Sequence, residues 1–310
     1  MSRKKIILDC DPGHDDAVAI LLAAKHPEIS LLGITVVAGN QTLENTQKNA
    51  LRVAQYLDLD VPVYAGCGRP IVREKVTAGD IHGETGLDGP VFEPLTRKIE
   101  SIHAVNYIID TLMHSEEKIT MVTTGPMTNL GMALRMEPGI AEKIEEIVFM
   151  GGSYQNGNVT PAAEFNILAD AEAAHICITS GLPITMVGLD VTRKALCYPE
   201  IVERMRKVGN NASALFADLM AFFCKTQKEV YGWEGGPLHD PVTIAYLIDP
   251  TVLTTKKMNV TVDISSSESY GRNCDYFGYM KREPNVNVGI DIDVDRFWDI
   301  IEDGLRLYGE

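Results

Sequence analysis

Basic residues are scarce in this 310-residue chain: 28 Lys and Arg stand against 43 Asp and Glu, a formal net charge of −15. A field of that sign repels phosphate backbones and anionic surfaces, so nucleic acid and membranes are not expected partners. The chain has no apolar run of the ~18 residues needed to cross a bilayer, and no low-complexity tract. Its first apolar stretch, Ile6-Ile7-Leu8, is too short for a signal-peptide core, so a cytoplasmic location is expected. The six cysteines (Cys10, Cys67, Cys177, Cys197, Cys224 and Cys274) include no C-x-x-C pair, which argues against a zinc site and a disulfide framework and for reduced structural thiols. G-x-G-x-x-G, Walker and H-E-x-x-H motifs are missing, and Gly151-Gly152-Ser153-Tyr154-Gln155 lacks the second glycine of a nucleophile elbow. Nucleotide-cofactor and serine-hydrolase readings lose their usual carriers.

What is present is an alternation. Lys5–Leu8, Leu31–Val37, Val61–Tyr64, Ile119–Thr123, Ile147–Met150 and Ile184–Leu189 read as buried parallel strands. Helix-period segments at Asp16–Lys25, Leu43–Leu57, Ser101–Met113, Asn129–Arg135 and Ala171–Ser180 separate them. Beyond about residue 195 the pattern predicts helix over 199–230 and 238–248, a strand at Met258–Val262, a late edge strand at Asn287–Val294 and a closing helix at Arg296–Tyr308. With no linker or repeat to divide it, the chain is expected to form one α/β domain over residues 1–310, a single large open, mostly parallel sheet with helices on both faces. Ligands of such sheets bind where the strands' carboxyl ends deliver their loops.

The first strand delivers Asp9-Cys10-Asp11-Pro12-Gly13-His14-Asp15-Asp16. The helix dipole helps an acid by only ~0.3–1 kcal/mol, which accounts for one or two of these carboxylates and not all. Crowded like charges raise one another's pKa or recruit a cation, and all-oxygen donors point to Ca²⁺ or Mg²⁺. The alternative is that Asp15 and Asp16 cap the helix while Asp9 and Asp11 form the turn. The register of an EF-hand fails, because Gly13 and Ile20 fall where oxygen ligands belong. Later loops add Thr124-Gly125, with Thr128 and Asn129 expected to cap the next helix. They also add Asn156-Gly157-Asn158, Glu164-Phe165-Asn166, His82 in a glycine-rich loop, and His239-Asp240 before Pro241, where Asp240 is either an N-cap or part of the site.

Ile7 to Ala17 closely resembles the N-terminal signature of the inosine-uridine-preferring nucleoside hydrolases. Val37-Ala38-Gly39-Asn40, Ile81-His82-Gly83-Glu84, Thr124-Gly125, Met150-Gly151-Gly152, Ala163-Glu164-Phe165-Asn166 and His239-Asp240-Pro241 resemble further family blocks, in order, over essentially the whole chain. The resemblance implies hydrolysis of the N-glycosidic bond of ribonucleosides to ribose and free base, in nucleoside salvage, with one Ca²⁺ per chain and no organic cofactor. It implies Asp11, Asp16, Asp240 and the Thr124 carbonyl as metal ligands, with Asp11 as general base toward a Ca-bound water. Asp15 and Asn40 would meet the ribose 2′ side, Asn166 the 3′ side, and Asn158 with Glu164 the 5′ hydroxyl, with Phe165, between Glu164 and Asn166, also in the substrate-binding set. His239 and His82 are the candidates to protonate the leaving base, His239 the better placed beside Asp240. Gln227 and Tyr231 would close over the base, although Tyr231 is equally readable as packing or surface. Neither Trp233 nor Trp298 falls in a matched block, which favours pyrimidine-preferring or broad activity on uridine, cytidine and, in a broad enzyme, inosine. A homotetramer is carried over from the family. Two alternatives stay open at this point: a metal-dependent phosphohydrolase with an Asp nucleophile, and a non-catalytic nucleoside- or sugar-binding protein.

Overall fold

In the computed structural model, which describes residues 3–265, 268–272, 274, 275 and 277–309, side chains along β1 (Lys4–Cys10) alternate between two cores. Ile6, Leu8 and Cys10 pack on one face with Phe297 and Trp298 of the closing helix Val294–Arg306. Ile7 packs on the other with Val105, Ile108 and Leu130. A strand whose successive side chains are all buried must be covered on both faces, as the continuous apolar runs require.

The remaining strands are β2 (Ile29–Val36), β3 (Val63–Ala65), β4 (Ile119–Thr123), β5 (Ile144–Met150), β6 (Ile184–Val187), β7 (Leu196–Cys197), β8 (Gly236–Pro237), β9 (Leu253–Val260), β10 (Cys274–Asp275) and β11 (Val286–Ile292). Among the described residues they form a nine-stranded sheet ordered β10-β9-β11-β6-β5-β4-β1-β2-β3, with β7 and β8 paired apart. From β3 to β11 every pairing is parallel; β9 and β10 close the far edge in antiparallel fashion. The chain leaves β1 toward β2 on one side and returns to β4 on the other. The loops after β1 and β4 therefore diverge and open a crevice at the carboxyl ends.

Three sequence expectations need correction. The strand near 287–294 is interior, because β9 returns alongside β11 and completes its ladder with Val286 and Val288 buried. The helical stretch 199–230 is two helices, Pro199–Arg206 and Asn211–Tyr231, parted where Gly209 takes φ 81° and Asn210 caps the second in a capping box with Ser213. The helix expected from 238 begins only at Pro241. Cys10, Cys67, Cys177, Cys197 and Cys224 are free thiols, while the Cys274 side chain lies outside the described residues. No helix among the described residues is long and apolar enough to cross a membrane.

Candidate active site

The first acidic loop leaves β1 and enters the helix His14–Lys25, whose cap position is Gly13. Asp16 reaches back to accept the Gly13 amide at 3.0 Å, so one of the four acids does serve the helix terminus. The same carboxylate accepts Thr124 Oγ1 at 2.8 Å and Asn40 Nδ2 at 3.2 Å, which joins the ends of β1, β2 and β4. Asp11 accepts the Asn40 amide through Oδ2 at 2.6 Å. Backbone closes around both its oxygens: a Cβ at Gly39 would meet Oδ2 at 2.0 Å, and one at Gly125 would meet Oδ1 at 2.5 Å. Larger residues at either glycine would displace the carboxylate.

Asp240 arrives from the opposite end of the sequence. It occupies the cap position of helix Pro241–Ile248, yet its side chain bonds no helix amide, which leaves the carboxylate to the site. Asp15, Asp16 and Asp240 bring one oxygen each within 4.8 Å of one another, all buried, a set that could hold a metal ion. Asp11 lies outside this tightest trio. Its Oδ1, like Asp15 Oδ1, is buried without a hydrogen-bond partner. Such unmatched acids are costly as charges. Burial first, then the charge of Asp16, pushes the Asp15 carboxyl up to about 7 and raises Asp11 well above the carboxylate range. Burial and then Asp15, Asp16 and Asp11 raise Asp240 likewise. Hard oxygen donors, orphaned and mutually repelling, fit a divalent cation. The Thr124 carbonyl at the same corner accepts Asn166 Nδ2 at 2.7 Å.

Thr128 and Asn129 do not cap their helix. Thr128 Oγ1 donates to Asp170 at 2.7 Å, and Asn129 Nδ2 donates to Asp9 at 2.8 Å, because longer-range acceptors lie within reach of both side chains. Asp9 thus belongs to the support of the site rather than to its cation cluster. Its Oδ1 also accepts Thr35 Oγ1 at 2.6 Å, and burial raises its carboxyl to about 7.

A cavity of about 350 Å³ opens over the cluster, within the size range of small-molecule sites. It brings Asp15, Asn40, His82, Thr124, Asn158, Glu164, Phe165, Asn166, Gln227, Tyr231, His239 and Asp240 onto one lining. Asp11 stands behind that lining, fully buried. Glu164 caps the helix Phe165–Ala169 and accepts the amides of Gly152, Asn166 and Ile167 at 2.9, 2.9 and 3.1 Å. Asn158 Oδ1 accepts the Phe165 amide at 2.9 Å, leaving its Nδ2 as the donor end.

His82 ends the short helix Gly79–His82 and is buried, not solvated as a lone loop histidine would be. His14 stacks on it and on Phe222 and Phe223. His239 opens partly onto the cavity and places Nδ1 at 2.7 Å from Thr192 Oγ1. Enclosure, then the charge of Arg193, brings its imidazole down to about 3. Gln227 is buried, whereas Tyr231 is half exposed at the end of helix Asn211–Tyr231, near Trp233. Both sit on that helix.

Arg193 and Trp233 line the cavity without having been singled out in the sequence. Arg193 donates to the Asn156 and Gly157 carbonyls at 3.1 and 2.8 Å and so holds the loop carrying Asn158. Only its place just after β6 could have signalled it. Trp233 lines the cavity although it falls in no matched block.

The family described as inosine-uridine preferring nucleoside hydrolase matches residues 6–299. The chain is 56% identical over 309 residues to the pyrimidine-specific ribonucleoside hydrolase RihB of Escherichia coli (strain K12), with 99% of each covered. Among solved structures, a purine-preferring ribonucleoside hydrolase from Gardnerella vaginalis superposes with TM-score 0.90 at 35% identity, over 99% of this chain and 98% of that one. A plant nucleoside hydrolase gives TM-score 0.91 at 30% identity, over 98% of this chain and 99% of that one.

Proposed function

Because the chain belongs to the inosine-uridine preferring nucleoside hydrolase family, and is thereby a ribonucleoside hydrolase, we propose that it prefers pyrimidine ribonucleosides and uses Ca²⁺. Membership removes the phosphohydrolase and non-catalytic alternatives. The observation that carries the finer reading is the meeting of Asp15, Asp16 and Asp240 beneath the cavity, with the unpartnered Asp11 Oδ1 behind them. The pyrimidine preference is supported by the 56% identity to a pyrimidine-specific relative.

Asp11, Asp16, Asp240 and the Thr124 carbonyl would hold the cation, with Asp15 completing the acidic cluster around it. When bound, it supplies Lewis acidity, making water a stronger nucleophile and gripping a vicinal diol. The chain's own residues do the rest. Asp11 is the general base: the Asn40 amide fixes one oxygen, and the other is free to take a proton from attacking water. Cleavage passes through an oxocarbenium-like state, and the surrounding carboxylates stabilise its positive charge. Asp15 and Asn40 read the ribose 2′ side, Asn166 the 3′ side, and the Asn158 amide with Glu164 the 5′ end. His239 hands a proton to the departing base. Neutral at rest because of its enclosure, it would take up that proton from solvent in the open cavity as negative charge builds on the base. Gln227 and Tyr231 cover the base from the helix. Release of a reusable base and sugar suits nucleoside salvage in the cytoplasm, and a homotetramer is the proposed assembly.

The test is a panel of uridine, cytidine, inosine and 2′-deoxyuridine, with reducing sugar as readout and light scattering for the assembly. Pyrimidine ribonucleosides should lead in kcat/KM, and the deoxynucleoside should lose at least about tenfold, because hydroxyl-reading groups are left unpaired. A higher kcat/KM for inosine would overturn the pyrimidine preference.

A further inference from the structure

Arg193 is the one lysine or arginine among the described residues that line the cavity. It stands just past the short helix Leu189–Thr192, which follows β6. That segment braces the loop after β5 from its root. The Leu189 amide donates to the Gly152 carbonyl at 2.9 Å, and Asp190 accepts the Tyr154 amide at 2.7 Å and Ser153 Oγ at 3.2 Å. Arg193 continues the row: Nη1 donates to the Asn156 carbonyl at 3.1 Å and Nη2 to the Gly157 carbonyl at 2.8 Å. A planar guanidinium presents its N–H groups as a rigid fork, which suits two successive carbonyls; an ammonium offers no such fork.

Beyond that point the loop bonds to itself. The amides of Gly157, Asn158, Val159 and Thr160 donate back to the Pro161 or Ala163 carbonyl, and those of Ala162 and Ala163 to Thr160 Oγ1. The turn is tight, because a Cβ at Gly157 would meet the Ala163 carbonyl oxygen at 2.1 Å. Asn158 Oδ1 accepts the Phe165 amide just past the loop. From Gln155 to Ala163, Arg193 is thus the sole hydrogen-bond tie to a distant part of the described chain. Asn156, Asn158 and Val159 are exposed, so burial does not hold them in place.

We propose that Arg193 is a positioning residue for the 5′ end of the substrate: its fork on the Asn156 and Gly157 carbonyls sets the Asn158 amide at the cavity rim. This rests on the ribonucleoside hydrolase reading, in which Asn158 and Glu164 meet the 5′ hydroxyl. Glu164 is fixed by three backbone amides of its own, so Arg193 governs the Asn158 half of that contact.

The experiment compares uridine with 5′-deoxyuridine on the full-length protein with Ca²⁺ present, in wild type, Arg193→Met, Arg193→Lys, Asn158→Ala and the variant combining Arg193→Met with Asn158→Ala. Arg193→Met should raise KM for uridine about tenfold, more than kcat falls, because the 5′ hydroxyl loses a partner. On 5′-deoxyuridine, which lacks that hydroxyl, the same variant should match wild type within about twofold. Adding Asn158→Ala to Arg193→Met should cost nothing further, since both remove one contact. Arg193→Lys keeps the charge without the fork and should behave as Arg193→Met does. Equal losses on both nucleosides, or losses that multiply in the combined variant, would overturn the proposal. So would full recovery in Arg193→Lys, which would make the charge responsible rather than the fork. Amide hydrogen exchange over residues 155–163 reads the clamp apart from turnover, and in Arg193→Met it should rise relative to the rest of the chain. Unchanged exchange there would overturn the clamp even if activity falls. If Arg193→Met fails to fold, Arg193→Lys carries the same tests. No ribose release by the wild type from any nucleoside, with loop exchange raised as expected, would count against the enzymatic reading alone.

Discussion

Asp11 Oδ2 accepts the Asn40 amide at 2.6 Å, while Oδ1 of the same carboxylate is buried with no partner. One oxygen fixes the group's orientation and the other is left without a partner, as the proposed role of general base requires.

Asp11→Ala should therefore lower kcat on uridine by at least about 10³-fold, near the upper part of the range for general base catalysis. The fold should survive, since removing one of four repelling acids relieves the cluster. Circular dichroism and a thermal melt check the fold, and reducing-sugar release checks turnover. Ordinary turnover in a folded variant would end the assignment.

His239→Ala should lose roughly 10²–10⁴-fold in kcat on uridine, the scale of a positioned acid. With nitrophenyl riboside, whose leaving group needs no proton, the loss should shrink to a few-fold. An equal loss on both substrates would show that His239 acts on the sugar or on packing instead.

The acidic cluster predicts a linked metal and pH dependence. Burial and Asp16 place Asp15 at about 7 in the folded state, against 3.8 unfolded. The folded, metal-free chain then binds more protons than the unfolded chain between about pH 4 and 7, so its stability falls as pH rises through that window. On the proposed reading Ca²⁺ would bind the deprotonated acids and offset this. The Tm gain on adding Ca²⁺ to chelator-treated protein should be larger at pH 8 than at pH 5, and turnover should return with it. Equal gains at both pH values would contradict the site.

Asp9 offers a test away from the proposed ligands. It also carries a pKa raised by burial, to about 7, and its Oδ2 is unpartnered. Its register neighbour Thr123 has an unpartnered hydroxyl as well. Asp9→Asn keeps an oxygen for Thr35 and Asn129 and removes the carboxyl that must take up a proton on folding between about pH 4 and 7. The wild type should lose up to about 1.4 kcal/mol per pH unit relative to this variant between pH 4 and 7, levelling above. Denaturant titrations across that range measure it. Parallel curves for the two proteins would show that Asp9 does not titrate there.

The elements most legible in the sequence were those whose pattern is local. β1 and the acidic turn after it are legible in the twelve consecutive residues from Lys5 to Asp16, and β4 matches residue for residue, because buried parallel strands carry unbroken apolar runs. The interior position of β11 was not legible. Its ladder is completed by β9, and nothing local says on which side a strand finds its partner. Thr128 and Asn129 looked like caps because capping is the short-range option for those side chains, and more distant acceptors outcompeted it.

Residue types and spacing alone determined the α/β class, the excess of acids where β1 ends, and, through ordered motif blocks, the kinship to ribonucleoside hydrolases. The tertiary structure decided which acids meet: Asp15 with Asp16 and with Asp240, more than two hundred positions away. It likewise decided that His14 faces His82, and that Arg193 grips the loop before Glu164. Pattern records how each segment buries itself. Contacts between segments depend on strand order and crossover, which bring distant loops to one edge of the sheet and leave no periodic trace in the chain.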